Sequence, residues 1–292
     1  MKDTDFAVFA KLLKDKSGFA LTPAKTYLLE SRVLPVASRH GCADLTALAD
    51  LLRKSVNNAL IYEIVEAMTT NETLFFRDDK PFRHFRSALL PLMMKNREHK
   101  KSLRIWSAAC STGQEPYSIA ITMSDLIQEH PGWNVEIIGT DISGSVIEKA
   151  KQGIYTQFEI QRGLPVPMMV KYFTRRDAEW QIHEKFRRMV RFEPFNLMQG
   201  MEKFGTFDII FCRNVLIYFD EDTKRSVLQN LSRRLSPDGY LLLGSTESAI
   251  CANDCLTMSE SCAGLYTILQ RDKTLLSGVP GQIPQPVPVR AS

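Results

Sequence analysis

The run Arg104-Ile105-Trp106-Ser107-Ala108-Ala109-Cys110-Ser111-Thr112-Gly113-Gln114-Glu115-Pro116-Tyr117-Ser118-Ile119-Ala120 constrains the fold more than any other stretch. It begins as a short apolar strand, crosses small residues around a single glycine, and opens a helix. Small residues let a ligand approach the backbone closely. Pro116 suits the first turn of a helix, where its missing N–H costs nothing. Ile119, Ala120, Met123, Leu126 and Ile127 then recur with helical period. A strand, a tight small-residue turn and a helix make the first half of a nucleotide-type binding unit. With Gly113 as its one glycine, the loop is not the GxGxxG of dinucleotide binders. Glu115 has two readings: an acid that stabilises the helix start, or an acid that meets a ligand.

Downstream, apolar strands and amphipathic helices alternate. The pattern predicts strands at Leu103–Ser107, Val135–Thr140, Val190–Pro194, Phe207–Arg213 and Tyr240–Ser245, with a last strand, Gly264–Leu269, at an edge. Helices are expected at Pro116–Glu129, Ser145–Gln152 and Glu221–Leu235. Such alternation indicates a parallel α/β sheet over residues 103–270. Pro237-Asp238-Gly239 reads as the turn before the Tyr240 strand. Residues 153–191 are too long and mixed for one crossover and read as a small inserted β-subdomain, partly antiparallel. The tail, 271–292, lacks periodicity and reads as disordered.

Upstream, residues 1–70 read as a small all-helical domain. Asp5 is the expected cap of a first helix with Phe6, Phe9, Leu12 and Leu13 on its apolar face, closed by Gly18. Thr22-Pro23 opens a second helix toward Gly41, with a kink expected at Pro35. Lys25, Arg32 and Arg39 lie seven apart on one face, either simply solvated or a docking surface for an acidic partner. Asp44–Leu52 and Asn58–Met68 follow as helices. Residues 71–102 form a linker and connecting helix. The stretch Thr69–Asp78, which runs into it, carries Phe75-Phe76, a pair no plain linker needs, so it is expected to pack back.

Composition excludes several classes. The 292 residues are 44% hydrophobic and 24% charged, enough to bury a large core. A net charge of +4 argues against a general nucleic-acid binder. No apolar run reaches the roughly 18 residues of a membrane span, and the N-terminus does not read as a signal peptide. The six cysteines form no CxxC pair and precede no histidines at zinc spacing. They read as reduced thiols in a cytosolic protein without a metal.

In an open parallel sheet, ligands bind beyond the carboxyl ends of the strands. Four such ends carry polar residues: Ser111–Glu115; Gly139-Thr140-Asp141-Ile142-Ser143; Phe195-Asn196-Leu197; and Phe211-Cys212-Arg213-Asn214-Val215-Leu216-Ile217-Tyr218-Phe219. Asp141 stands where such folds place a carboxylate on ribose hydroxyls, or it caps the next helix. Asn196 offers donor and acceptor to an adenine edge.

These segments, together with Asn71-Glu72-Thr73-Leu74-Phe75-Phe76-Arg77, resemble the chemotaxis-receptor methyltransferases (the CheR family) over roughly residues 5–270. The resemblance implies a Rossmann-like S-adenosylmethionine-dependent methyltransferase sheet with a helical receptor-docking domain. The implied reaction forms glutamate γ-methyl esters on the cytoplasmic helices of a chemoreceptor, leaving S-adenosylhomocysteine. Family cofactor contacts carry over onto Asn71, Thr73, Arg77, Glu115, Asp141, Asn196, Leu197, Arg213 and Asn214. Arg77 suits the cofactor's carboxylate, since guanidinium binds carboxylate bidentately. Tyr218 and Arg77 are the catalytic candidates, Tyr218 for positioning the acceptor or for ordinary packing against Phe219. Members often carry two acids after the loop glycine; here Gln114-Glu115 keeps one. Lys25, Arg32 and Arg39 become candidates for docking acidic receptor helices.

Some members hold a receptor C-terminal pentapeptide on the insertion, using a glycine-containing loop. Here Phe173–Ile182 has no glycine, so weak or absent tethering is expected. A cytoplasmic monomer at receptor arrays on the inner membrane face, without nucleic acid or membrane insertion, completes the expectation. Two alternatives stand beside it: a methyltransferase acting on nucleic acid or a small molecule, suggested by the basic Arg83–Arg104 connector, and a non-enzymatic cofactor-binding adaptor.

Overall fold

The computed structural model describes residues 1–55, 57–259 and 264–269. Ten strands are present among them: β1 (Ser102–Ala108), β2 (Asn134–Asp141), β3 (Ile154–Thr156), β4 (Phe173–Arg176), β5 (Glu179–Ile182), β6 (Val190–Pro194), β7 (Phe207–Cys212), β8 (Leu235–Leu243), β9 (Leu256–Met258) and β10 (Leu265–Ile268). Seven form one sheet in the order β6-β2-β1-β7-β8-β10-β9, and β3, β5 and β4 form a separate antiparallel sheet. The large sheet is parallel through β6, β2, β1, β7 and β8. Its strands are buried on both faces, as parallel strands flanked by helices must be. Successive residues alternate between two cores: Ile105, Ile137 and Ile209 join one face, Trp106, Ile138 and Ile210 the other.

Two expectations at the far edge fail. The last strand is not an edge: β10 lies between β8 and β9, antiparallel to both. With three residues, β9 is too short for a periodic signal. Pro237-Asp238-Gly239 lies inside β8 rather than before it, forming an irregularity opposite Phe207–Ile209. Proline and glycine are tolerated within a strand at such bulges.

The helical domain has its own core, with Phe9, Leu13, Leu29, Val33, Leu48 and Ile64 fully buried. Asp5 does not cap the first helix, Asp3–Ser17; it is 2% exposed and accepts from Thr46 and Arg53 at 2.9 Å each. A local capping pattern here serves a tertiary ion pair. Gly18 closes the helix in the left-handed region at φ 74°. The irregularity expected at Pro35 falls one turn earlier, as a π-helical turn over Leu29–Val33. A second π turn, Phe85–Leu89, precedes Pro91 in the connecting helix. Proline lacks an N–H and crowds the carbonyl four residues back, so a widened turn upstream relieves both.

The segment after the helical domain packs back, as its aromatics require. Phe75 is fully buried, edge-on to Tyr155 at 5.1 Å and to Phe173 at 5.3 Å. Both partners belong to the small sheet, so Phe75 anchors this segment on the insertion. Gly163, at φ 101°, lies so close that an added Cβ would stand 1.9 Å from the Phe75 carbonyl oxygen. No helix among the described residues is long and apolar enough to cross a membrane. The tail at 271–292 lies outside the described residues.

Candidate active site

The strand order turns at β1, with β2 on one side and β7 on the other, which opens a crevice above their carboxyl ends. A cavity fills it. Asn71, Thr73, Arg77, Glu115, Asp141, Asn196, Leu197, Arg213, Asn214 and Tyr218, spread over nearly 150 positions, all line it.

The β1 loop shapes its floor. Ala109 and Ser111 adopt left-handed backbone at φ 61° and 50°, and Gly113 follows at φ 93°. An added Cβ at Gly113 would meet Ala150 Cβ at 2.9 Å, so only glycine fits between this loop and the helix Gly144–Gln152. Asp141 holds the loop in place. One of its oxygens accepts from the Ser111 N–H at 2.8 Å, the other from the Ser143 N–H at 3.1 Å. It is no helix cap: Ser143 caps Gly144–Gln152. Burial pushes the Asp141 carboxyl up, against the backbone N–H bonds that pull it down.

Glu115 and Arg213 form the buried electrostatic centre. Glu115 accepts from Ser107 Oγ at 2.8 Å and from Arg213 Nη1 at 2.9 Å. Arg213 Nη2 donates to Asp78 at 2.7 Å and to the Arg77 carbonyl at 2.9 Å. Its guanidinium therefore ties the β1 loop to the Phe76–Asp79 turn, where Phe76, Asp78 and Asp79 all have positive φ. Arg213 Nε is buried without a protein partner. Arg77 donates to the Glu72 carbonyl at 2.9 Å. Asn196 lines the cavity, but its amide is already engaged: Oδ1 accepts from the Met198 N–H at 3.0 Å and Nδ2 donates to the Lys16 carbonyl at 2.6 Å.

Two contributors escape sequence reasoning. The helical domain supplies a wall, including Ser17, Phe19, Val65 and Met68. Phe19 stacks on Tyr218 with centroids 6.0 Å apart, and the Ala20 N–H donates to the Tyr218 carbonyl at 2.8 Å. Lys14 pairs with Asp220 at 2.6 Å. The second is Glu247, whose carboxylate accepts from the Asn214, Val215 and Leu216 N–H groups. No motif marks either; a lone aromatic at a helix end and an acid in a loop are too common.

The basic face divides. Arg32 reaches inward to the Met68 and Thr69 carbonyls, 3.1 Å each, and clasps the end of the last domain helix. Arg39 pairs with Glu63 at 3.0 Å. Lys25 lies over the Phe19 ring at 5.5 Å. Among the described residues no cluster of three or more histidine, cysteine or acidic side chains could hold a metal.

The donor set fits S-adenosylmethionine. Asp141 retains lone pairs for ribose hydroxyls, Ile142, Phe195 and Leu197 offer an apolar slot for a purine, and the unpartnered Arg213 Nε beside Arg77 suits an anionic end. A crevice of this chemistry on this sheet defines an S-adenosylmethionine-binding methyltransferase. Residues 71–264 match the CheR methyltransferase SAM binding domain, and residues 4–69 match the CheR methyltransferase all-alpha domain. The chain belongs to the CheR family of chemotaxis methyltransferases. Relatives include chemotaxis protein methyltransferase 1 of Vibrio cholerae, 42% identical over 85% of this chain and 90% of that protein. The Vibrio anguillarum chemotaxis protein methyltransferase is 43% identical over the same shares. In Pseudomonas putida, chemotaxis protein methyltransferase Cher2 is 37% identical over 84% of this chain and 90% of its own length.

Proposed function

We propose that this chain methylates glutamate side chains on cytoplasmic chemoreceptor helices, leaving γ-methyl esters. The observation that carries the reading is the state of the cavity's carboxylates. Glu72 is paired with Arg162 at 2.7 Å, Glu115 with Arg213, and Asp141 accepts two backbone N–H groups. Among the described residues lining the cavity there is no histidine or lysine, and burial pushes the Cys110 thiol well up. Glu72 and Glu115 are committed to arginines, Asp141 is assigned to the ribose, and a thiol held protonated accepts no proton, so no base is set aside for an amine or hydroxyl acceptor. A glutamate acceptor needs no base, since its ordinary pKa is about 4.3.

The bound cofactor supplies an activated methyl on a sulfonium. The protein's part is alignment, which can contribute roughly 7–11 kcal/mol to lowering the barrier. Asp141 and Leu197 seat the nucleoside, Arg77 and Arg213 hold the amino-acid end, and Tyr218 at the mouth orients the incoming carboxylate. The Tyr218 ring is braced by Phe19, and its hydroxyl is the group that would meet the acceptor. Tyr218→Phe is expected to lower turnover about tenfold or more while changing product affinity little. Equal turnover in steady-state assays would remove Tyr218 from the mechanism.

The test is transfer of tritiated methyl to cytoplasmic receptor fragments, with RNA as the competing substrate. Carboxyl methyl esters release methanol in base; label stable to base, or found on RNA, would reject the reading. Cytoplasmic action at receptor arrays follows from that substrate. Acidic receptor helices would be steered by Lys25, with Arg32 on the Met68 and Thr69 carbonyls and Arg39 paired with Glu63. Charge reversal at Lys25 should slow methylation at low salt, and an unchanged rate would make it ordinary surface. The β4–β5 turn, Arg176-Asp177-Ala178-Glu179, lacks glycine and places Asp177 at φ 52°. We therefore expect methylation without a pentapeptide tether; calorimetric micromolar binding of a receptor C-terminal pentapeptide would contradict this.

A further inference from the structure

Glu247 sits in the loop after β8. One of its oxygens accepts from the Asn214 and Gly244 N–H groups at 2.7 Å each. The other accepts from the Val215 and Leu216 N–H groups at 2.9 and 2.8 Å. Four backbone donors thus converge on one side-chain carboxylate. Three belong to consecutive residues, beginning with Asn214 in the left-handed region at φ 59° and followed by Val215 at φ −123° and ψ −36°. Successive N–H groups turned inward in this way make a concavity for an anion. Here the chain fills it with a side chain from the loop at the carboxyl end of β8. Gly244 provides the room: an added Cβ would stand 2.6 Å from the Glu247 carboxylate and 3.0 Å from Asn214 Nδ2.

What this carboxylate holds is functional wall rather than core. Asn214 and Val215 line the cavity, and the turn runs directly into the 3-10 segment Leu216–Tyr218, with the Tyr218 N–H donating to the Val215 carbonyl at 3.1 Å. Glu247 is itself half-buried and belongs to neither hydrophobic core. Arg213, one residue before the turn, is anchored separately by Glu115 and Asp78.

We infer that Glu247 is a positioning residue: it holds Asn214 in its left-handed conformation and aims Tyr218 across the mouth of the cavity. This rests on the reading that Tyr218 orients the methyl acceptor. Removing the carboxylate frees the turn without emptying the core, so its effect falls on alignment. Misplacement by about 1 Å in such a site can cost on the order of 100-fold in rate.

The test compares full-length Glu247→Ala, Glu247→Gln and wild type. Wild-type binding of S-adenosylhomocysteine by calorimetry, and wild-type methylation of receptor fragments, check the underlying reading independently of the variants. For Glu247→Ala we expect kcat to fall about 30-fold or more, with product affinity weakened less than about fivefold. The amides of Asn214, Val215 and Leu216 lose hydrogen-exchange protection while those of β1 and β2 keep theirs. Added formate, a carboxylate small enough for the vacated concavity, restores part of the turnover of Glu247→Ala. It does nothing for Glu247→Gln, whose amide still occupies the space and turns an N–H toward backbone donors. A folded Glu247→Ala that keeps kcat within about twofold, or whose three amides stay protected, overturns the assignment.

Discussion

Arg213→Met is expected to lower the free energy of unfolding by about 3–5 kcal/mol, the usual cost of leaving buried charge without its partner. The arginine side chain is 1% exposed, and Glu115 beside it is 11% exposed. Methionine would leave Glu115 with only the Ser107 hydroxyl, and would release Asp78 and the Arg77 carbonyl together. The strained Phe76–Asp79 turn would then lose the contact that holds it. Against a typical total of roughly 5–15 kcal/mol, such a loss is plain in urea unfolding. Arg213→Lys should recover only part of it, because an ammonium cannot span three acceptors as a planar guanidinium does. A loss below about 1 kcal/mol for methionine would mean that the pair contributes no more than a surface bridge.

Asp141→Asn should weaken S-adenosylhomocysteine binding by on the order of 100-fold or more, since each of two charge-assisted hydrogen bonds is worth about 1.5–3 kcal/mol and the amide keeps part of that. The amide also turns a donor toward the Ser111 or Ser143 N–H, which loosens the β1 loop. The pH dependence has a definite sign. Burial raises this carboxyl, and the ionised form is the one that accepts from hydroxyls. Wild-type affinity should therefore decline on acidification while the pH is still above the ordinary aspartate value near 3.9. The variant should lack that decline. Calorimetric titration across the acid range reads both, and a variant with wild-type affinity would remove Asp141 from the binding site.

The catalytic half was legible because its signals are local. Each strand ends where an apolar run meets a polar residue, and the fold type itself says that such ends converge. The alternation of Ile105 with Trp106 and Ile137 with Ile138 follows from the two-residue period of a strand. What escaped depends on distance in the chain. Glu247 acts 33 positions beyond Asn214, from a loop without pattern. Arg32 reads as a surface cation until Met68 and Thr69 come alongside. Asp5 obeys a capping rule in sequence, yet Thr46 and Arg53 claim it. Asn196 similarly reads as a free amide, although Lys16 and Met198 already occupy it.

The stacking of Phe19 on Tyr218 has a consequence for how this architecture can vary. The helical and catalytic segments meet in a shared ring pair and the Lys14–Asp220 bridge, so exchange of one segment alone would break contacts that the other also makes. A hybrid built from two relatives would inherit half of that seam from each parent.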